Sequence, residues 1–446
     1  MSVNQNGSTG AGNSSAYRPG KTLGIVGGGQ LGRMLLPEAR RLGLRVAVYS
    51  GSPDDPAVGG ADVFVQGSLT DADGIAAFAR ECDYLTIEIE HVSLAGLQRA
   101  EEAGCRVFPP SSALATVQDK LAQRRCFEGL PQPRFAELPD FRPDDEPAWR
   151  AEVLSRAQEF GFPVVQKTRR GGYDGRGVAV LRSPEDVTDT DGRLLCADSY
   201  LEDFVALRME LGVLVARSAA GAGAGVAGAG GDGTGAAMEA ATDEAAGAGA
   251  DGASAAGAAP AAIAAFPVTE MLFDPELNIC TSVAFPARID AAVAARAVSI
   301  ARSAAARLGV TGLLAVELFI DQDGEVLLNE VAPRPHNSGH GTIEGVPTSQ
   351  YGQHLRAGLG LPLGAVEPVI PTVMNNLLGA DGAEGTPVIT GLAELLAIPG
   401  TALHWYGKPQ VRPGRKMGHV TVTAGRLEQA LERAGQAAEL IRIEGE

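Results

Sequence analysis

The sequence predicts an α/β and α+β multidomain protein: a parallel-sheet unit first, a larger mixed unit next, and a small β-rich unit last. Three observations carry this. The chain has 446 residues, and at roughly 100–200 residues per domain that length calls for several packed units. Strand and helix patterns alternate through the first quarter of the chain, as in a parallel sheet covered by helices on both faces. Two glycine-rich turns, Gly27–Gly32 and Gly171–Gly177, each follow a short apolar strand, the setting in which backbone N–H groups gather around an anion.

The first unit spans about 21–118. Lys21–Gly27 reads as a buried strand. A helix follows the glycine turn to about Leu42, and strands are expected at Arg45–Ser50, Asp62–Gln66 and Tyr84–Glu90. Residues 1–20 are rich in Ser, Asn and Gly and read as a disordered tail. The second unit starts near Asp119, with strands at Phe162–Lys167, Val178–Leu181, Tyr200–Val205 and Glu210–Arg217.

Ser218–Ala265 is almost all Ala and Gly, with five acidic residues and no Lys or Arg. Each glycine costs a helix about 1 kcal/mol relative to alanine, and few large apolar groups offset the ordering entropy. This segment is expected to be a disordered loop inserted between two strands. Beyond it come a helix at Asp290–Leu308 and a hairpin of Leu313–Asp321 with Glu325–Val331. A final unit from about Val373 ends in an amphipathic helix, Leu427–Ile441.

The net charge is -17, a field that repels nucleic acid and anionic membranes. No apolar run reaches the ~18–20 residues of a membrane span, and the N-terminus lacks a signal-peptide core. Cys82, Cys105, Cys126, Cys196 and Cys280 are widely spaced without C-x-x-C. They read as reduced thiols acting as small buried hydrophobes.

Five stretches carry chemistry. Gly27-Gly28-Gly29-Gln30-Leu31-Gly32 fits G-x-G-x-x-G between strand and helix. No acid closes the strand Val46–Ser50 to take a dinucleotide ribose. Another phosphate-bearing ligand, a dinucleotide and a plain tight turn all remain open. In the second stretch Lys167 ends a strand, and Gly171, Gly172, Gly175 and Gly177 follow, interrupted by Tyr173, Asp174 and Arg176. No G-K-[ST] occurs, so this is a glycine flap over a polyphosphate with Lys167 as its point charge.

The third is a carboxylate pair, Glu317 and Glu330. A hairpin folded about Gln322 and Asp323 puts Glu317 opposite Leu328 and makes Glu330 its diagonal neighbour on one face. Like charges on an apolar sheet call for a bridging cation, and magnesium carrying ATP phosphates suits them, with Asn329 adding an oxygen. The fourth, Ala332–His340, is a proline-rich loop. His336 and His340 do not share a helix face there, which argues against zinc, and Arg334 suits a transferring phosphoryl group. The fifth, Trp405–His419, is basic within an acidic chain. It reads as a pocket for a substrate phosphate or as a solvated basic turn.

Together GGGQLGRM, RRGGYDGRG, TSVAFPAR, LLNEVAPRPHNSGH and HWYGKPQVRPGRKMGH resemble the ATP-grasp enzymes. More narrowly they are similar to the N5-carboxyaminoimidazole ribonucleotide synthases of purine (IMP) biosynthesis. The resemblance runs from Lys21 to the C-terminal helix, apart from the insert. It implies a Rossmann-like pre-ATP-grasp domain at 21–118 and an ATP-grasp domain at 119–372 carrying the insert at 218–265. A small, rudimentary single-hybrid-like C-terminal β-rich domain would occupy 373–446.

It also implies a cytoplasmic homodimer that carboxylates 5-aminoimidazole ribonucleotide with ATP and bicarbonate, by way of carboxyphosphate. By motif, Lys120 and Lys167 would meet ATP phosphates under Gly172, Tyr173, Asp174, Gly175, Arg176, Gly177 and Val178. Glu202, Asp203, Phe204 and Val205 would line adenine, and Glu210 the ribose. Asn329 and Glu330 would sit at the ATP, with Glu317 and Glu330 holding magnesium or manganese. Gln30, Leu31, Glu88, Glu90, Tyr173, Arg176, Lys408 and Arg415 would face the ribonucleotide. Tyr173, Asp174, Arg176, Arg334, His336 and Asn337 would act in catalysis. One departure stands out: Phe273 occupies a stretch where relatives often carry a nucleotide-contacting histidine. The rival readings are another ATP-grasp ligase or transformylase acting on a related ribonucleotide, a nicotinamide oxidoreductase, and a scaffold acting through the insert.

Overall fold

The computed structural model describes residues 17–171, 177–189, 193–219, 261–274 and 279–446. Five parallel strands, β1 Thr22–Val26, β2 Arg45–Ser50, β3 Val63–Gln66, β4 Tyr84–Ile87 and β5 Arg106–Phe108, form one sheet in the order β3-β2-β1-β4-β5. Parallel pairing needs crossovers. Helices α1 Gln30–Arg41, α2 Ala72–Ala79 and α3 Leu94–Glu102 supply them. The chain reverses direction across the sheet at β1, so the turn after β1 lies at the crevice where doubly wound sheets bind ligands. β4 stops at Ile87, which leaves Glu88 and Glu90 just past the strand rather than on it. The expected tail is also shorter: the Tyr17 hydroxyl donates to the Leu42 carbonyl at 2.6 Å.

Helices α4 Ser111–Val117 and α5 Lys120–Cys126 lead to a second sheet. Strands β6 Phe135–Glu137, β7 Val164–Thr168, β8 Val178–Leu181 and β9 Ser199–Asp203 make it, in the order β6-β9-β7-β8. Helices α6 Glu146–Phe160 and α7 Glu185–Thr188 belong to this unit, and Trp149, Val153 and Leu181 are buried in its core.

The third sheet is the largest. Its strands are β10 Leu207–Arg217, β11 Ile263–Ala265, β12 Thr269–Asp274, β13 Ile279–Phe285, β14 Gly312–Asp321 and β15 Val326–Ala332. Helices α8 Ala291–Leu308, α9 Thr342–Gly345 and α10 Gln350–Leu359 come from the same stretch of chain, and α8 supplies alanines and Ile300 to the core under β10 and β14. The last segment contributes β16 Thr372–Leu378, β17 Pro387–Thr390, α11 Leu392–Ala397, β18 Thr401–Trp405, β19 Lys416–Thr423, α12 Leu427–Leu440 and β20 Arg442–Gly445. The sequence pattern sets this segment apart. In the structure β13 pairs with β16, so the sheet runs unbroken as β15-β14-β10-β12-β13-β16-β19-β18. Only β17 and β20 pair separately.

Two expectations need correction here. A β-bulge shifts the β14–β15 register, so Glu317 pairs directly with Glu330 and Leu318 with Leu328. A single extra residue, Asn329, accounts for the shift, which regular hairpin counting does not foresee. The expected insert is also too long at its far end. Ile263–Ala265 pairs with Val215–Arg217 as an edge strand, and residues 220–260 lie outside the described part.

The ends of that stretch are neighbours. Ser218 N–H donates to the Ala262 carbonyl at 3.0 Å, and Ala262 N–H donates to the Ser218 hydroxyl at 3.2 Å. Replacing residues 220–260 by a tight turn is therefore expected to leave kcat and melting temperature unchanged within about twofold and a few degrees. A deletion running through Ala265 removes β11 and should melt lower. Comparing the two by calorimetry and steady-state assay checks the boundary.

No helix among the described residues is long and apolar enough to cross a membrane. Cys280 is buried, Cys82, Cys105 and Cys126 are half-buried and Cys196 is exposed, so not all five are core hydrophobes.

Candidate active site

A cavity of about 450 Å³ opens between the second sheet and the third. One wall is apolar: Val165, Val178 and Val180 from β7 and β8, and Leu207, Met271 and Phe319 from the large sheet. Phe204 and Leu207 are exposed at its rim. A greasy slot of this width suits a flat heteroaromatic ring. The opposite end is charged, with Lys120, Lys167, Glu210, Glu317, Asn329 and Glu330.

Local folding places each of these groups. Asp119 caps α5 by accepting from the Leu121 and Ala122 N–H groups. Its carboxylate also pairs with Arg169 at 2.6 Å and Arg170 at 3.4 Å. Those two cations thus anchor the start of the glycine flap and are not loose phosphate ligands. Lys120 follows the cap and pairs with Glu330 at 2.6 Å. Lys167 on β7 pairs with Glu202 and donates to the Asn329 side chain at 3.2 Å. Behind it Arg124, fully buried, donates to Glu202 at 2.6 Å and 3.0 Å and to the Leu328 carbonyl at 2.9 Å. Glu202 therefore turns its carboxylate toward Lys167 and Arg124. Asp203 likewise is held by Arg134 at 2.7 Å.

The electrostatics follow from this packing. Burial raises the proton affinity of Glu330, but the Lys120 and Lys167 ammoniums outweigh it and hold the carboxyl at about 2. Burial also works against ionised Glu202, and Lys167 and Arg124 overcome it. At Glu210 the pull of Lys167 is outweighed. Burial, then the Glu317 and Glu330 carboxylates, push it up to about 7. The end of the cavity is thus a field of alternating fixed charges.

The proline-rich loop closes the site. His336 Nε2 lies 3.2 Å from Glu317 Oε1, and its Nδ1 meets the Ser338 hydroxyl at 2.9 Å. Ser338 sits over Gly212, where a Cβ would stand 2.9 Å from its oxygen, so β10 needs glycine there. Asn337 lines the cavity, and its buried amide nitrogen has no partner among the described residues. Arg334 turns away and pairs with Glu90 at 2.9 Å. It bridges to the N-terminal unit rather than facing the cavity.

The α1 turn and the basic block come together on that side. Gly29 starts α1, and a Cβ there would collide with the Glu88 carboxylate. Glu88 accepts from the Leu31 N–H at 3.3 Å, so an internal carboxylate already faces the positive end of the helix. Burial raises the Glu88 pKa, only partly offset by Arg334 and the Leu31 N–H. Gln30 is half-buried beside it. Gly407 of the basic block approaches Arg33 of α1, with its Cβ position 3.3 Å from Nη1. Lys408 donates to the Lys416 carbonyl at 2.5 Å and lies 5.5 Å from the Tyr406 ring centre. Arg415 donates to the Gln410 carbonyl at 2.6 Å.

Sequence reading and structure therefore meet around Lys120, Lys167, Glu202, Asp203, Phe204, Val205, Glu210, Glu317, Asn329, Glu330, His336 and Asn337, all on the cavity wall. Gly172, Tyr173, Asp174, Gly175 and Arg176 lie outside the described residues. Phe273 lines the cavity as well. Sequence reading named Val178, Phe204 and Val205 but missed Lys416 and the rest of the apolar wall, Val165, Val180, Leu207, Met271 and Phe319; the alternation along β8 and β12 was the available signal.

The oxygen donors fit a divalent cation. Magnesium is held by one or two carboxylates plus phosphate oxygens, and Glu317 and Glu330 stand directly opposite each other with Asn329 between. Among the described residues there is no cluster of three or more His, Cys, Asp or Glu that could hold a metal ion.

Family models match along the whole length: a ribonucleotide synthetase pre-ATP-grasp domain at 20–118, an ATP-grasp domain at 130–227 and 255–351, and a phosphoribosylaminoimidazole carboxylase C-terminal domain at 372–433. The chain is 35% identical to an N5-carboxyaminoimidazole ribonucleotide synthase of Synechococcus elongatus, over 96% of either chain. It is 38% identical to that of Mycobacterium tuberculosis, over 93% of this chain and 86% of that one. The crystal structure of the Thermotoga maritima synthetase superposes with a TM-score of 0.76 at 36% identity, covering 96% of this chain and 100% of the other. An Aspergillus clavatus synthase in complex with ADP and 5-aminoimidazole ribonucleotide gives 0.76 at 29% identity, covering 94% and 98%. The chain belongs to the N5-carboxyaminoimidazole ribonucleotide synthase family of ATP-grasp ligases.

Proposed function

We propose that this chain carboxylates the exocyclic amine of 5-aminoimidazole ribonucleotide, using ATP and bicarbonate and releasing ADP and phosphate. The observation that carries this is the cavity, an apolar slot ending in two lysines and two opposed carboxylates. The α1 turn and the basic block meet elsewhere on the same chain, where Gly407 approaches Arg33.

Adenine enters the apolar slot, with Phe204 and Leu207 at its rim. Lys120 and Lys167, fixed by Glu330 and Glu202, meet the phosphates. Glu317 and Glu330 hold magnesium or manganese, which when bound supplies positive charge to the phosphate oxygens. A bicarbonate oxygen attacks the γ-phosphorus, and the bond to the ADP oxygen breaks. Asn337 offers its unpartnered amide to the carboxyphosphate formed. The imidazole amine then attacks the carboxyl carbon, the C–O bond breaks, and phosphate leaves with that oxygen while the amine proton passes to phosphate.

Lys408, Arg415 and the Gln30 turn hold the ribonucleotide, and Tyr173 and Arg176 are assigned to it as well. Arg334 positions Glu90, and His336 positions Glu317. A cytoplasmic homodimer completes the proposal.

ADP release should require bicarbonate and 5-aminoimidazole ribonucleotide together with ATP. Glycinamide ribonucleotide with formate should give none. Formate-dependent turnover would instead assign the chain to the transformylases.

A further inference from the structure

The continuity of the third sheet has a chemical outcome. β19 belongs to the last segment of the chain, yet its first residue, Lys416, lines the nucleotide cavity. It shares that wall with Ile279 and Cys280 of β13 and with His336 and Asn337 of the loop. A bulge re-aims it. The β16–β19 register shifts so that Leu377 pairs with Gly418 and Leu378 with Lys416. Met417, the extra residue, is fully buried in the C-terminal core, while the half-exposed Lys416 turns to the cavity.

Its charge is also distinctive. Lys120 is engaged by Glu330, and Lys167 by Glu202 and Asn329. Among the described residues Lys416 is the lysine on the cavity wall with no carboxylate at ion-pair distance. The same cavity is lined by Asn337, whose buried amide nitrogen has no partner among the described residues. On its other side the Lys416 backbone carbonyl accepts from Lys408 at 2.5 Å. One residue therefore lines the cavity and holds Lys408 of the basic block with its carbonyl.

We propose that Lys416 is a catalytic residue: with Asn337 it binds the carboxyphosphate anion in the cavity they both line until the amine takes its carboxyl group. The inference rests on the reaction proposed above. Among the described residues the Lys416 ammonium has no carboxylate at ion-pair distance, so it is available where a dianion must wait, and a preorganised donor there stabilises that charge. Lys408 and Arg415 handle the ribonucleotide; Lys416 handles the intermediate.

The test compares full-length wild type with Lys416→Met and Lys416→Arg, measuring ADP and carboxylated imidazole in the same assay. Wild type should give one ADP per product. In Lys416→Met, product kcat should fall by on the order of tenfold or more, since a preorganised donor is lost. The ADP-to-product ratio should rise several-fold, and the KM for the ribonucleotide should stay within about twofold. Lys416→Arg should restore the ratio. Where the methionine variant fails to fold, Lys416→Gln gives the same comparison.

An unchanged ratio with normal kcat overturns the inference. So does an effect confined to the ribonucleotide KM, which would make Lys416 part of the phosphate clamp. Absence of ribonucleotide-dependent ADP release in wild type would instead sink the proposed reaction itself.

Discussion

Glu330→Gln is expected to lower kcat by on the order of 10²–10³, the usual cost of removing one preorganised charge from a transition-state site. Three roles meet at this carboxylate. It fixes Lys120 at 2.6 Å, it faces Glu317 across the hairpin bulge, and it adjoins Asn329, which receives Lys167. Glutamine keeps the shape and one acceptor oxygen but removes the charge that orders the others. Lys120 then loses its counter-ion, and a divalent cation loses one of two facing carboxylates. Steady-state kinetics at varied magnesium should show the loss, with the metal requirement shifted to higher concentration. A variant with near-normal kcat and unshifted magnesium dependence would remove Glu330 from the mechanism.

Arg124→Met should cost about 3–5 kcal/mol of stability, the range for breaking a buried ion pair from one side. The arginine and Glu202 are both almost wholly buried, and Glu202 also serves Lys167. Methionine fills the volume but leaves the carboxylate short of a partner. Replacing Glu202 with leucine at the same time should not repair the protein, because Lys167 would then lose its own counter-ion. Melting of the ligand-free protein measures the effect. A melting temperature equal to wild type would show that water or rearrangement satisfies Glu202, and that the triad does not hold Lys167 in place.

How much of this was legible in the sequence depended on the range of the interaction. The β1 turn, the strand ending in Lys167 and the hairpin carrying Glu317 and Glu330 are local patterns, and each was readable. The bulge at Asn329 was not, because register depends on how two strands pair and period-2 counting assumes regularity. Arg124 on a short helix reads as a solvated cation until β9 folds against it. Glu88 reads as a ligand group, yet it faces the α1 N-terminus from just past β4, far along the chain. Arg334 looks equally suited to phosphate, and only the docking of the N-terminal unit gives it to Glu90. Lys416 was hidden among the cations of the basic block. Its aim depends on a second bulge and on the sheet continuing across a boundary that composition suggested.

The central claim is that bicarbonate is activated by phosphoryl transfer in this cavity before the amine attacks. The direct measurement uses bicarbonate labelled with ¹⁸O, ATP and 5-aminoimidazole ribonucleotide, with mass analysis of the phosphate released. Carboxyphosphate passes one bicarbonate oxygen to phosphate when its C–O bond breaks, so each phosphate formed should carry one labelled atom. Phosphate free of label, with carboxylated product still accumulating, would contradict the account.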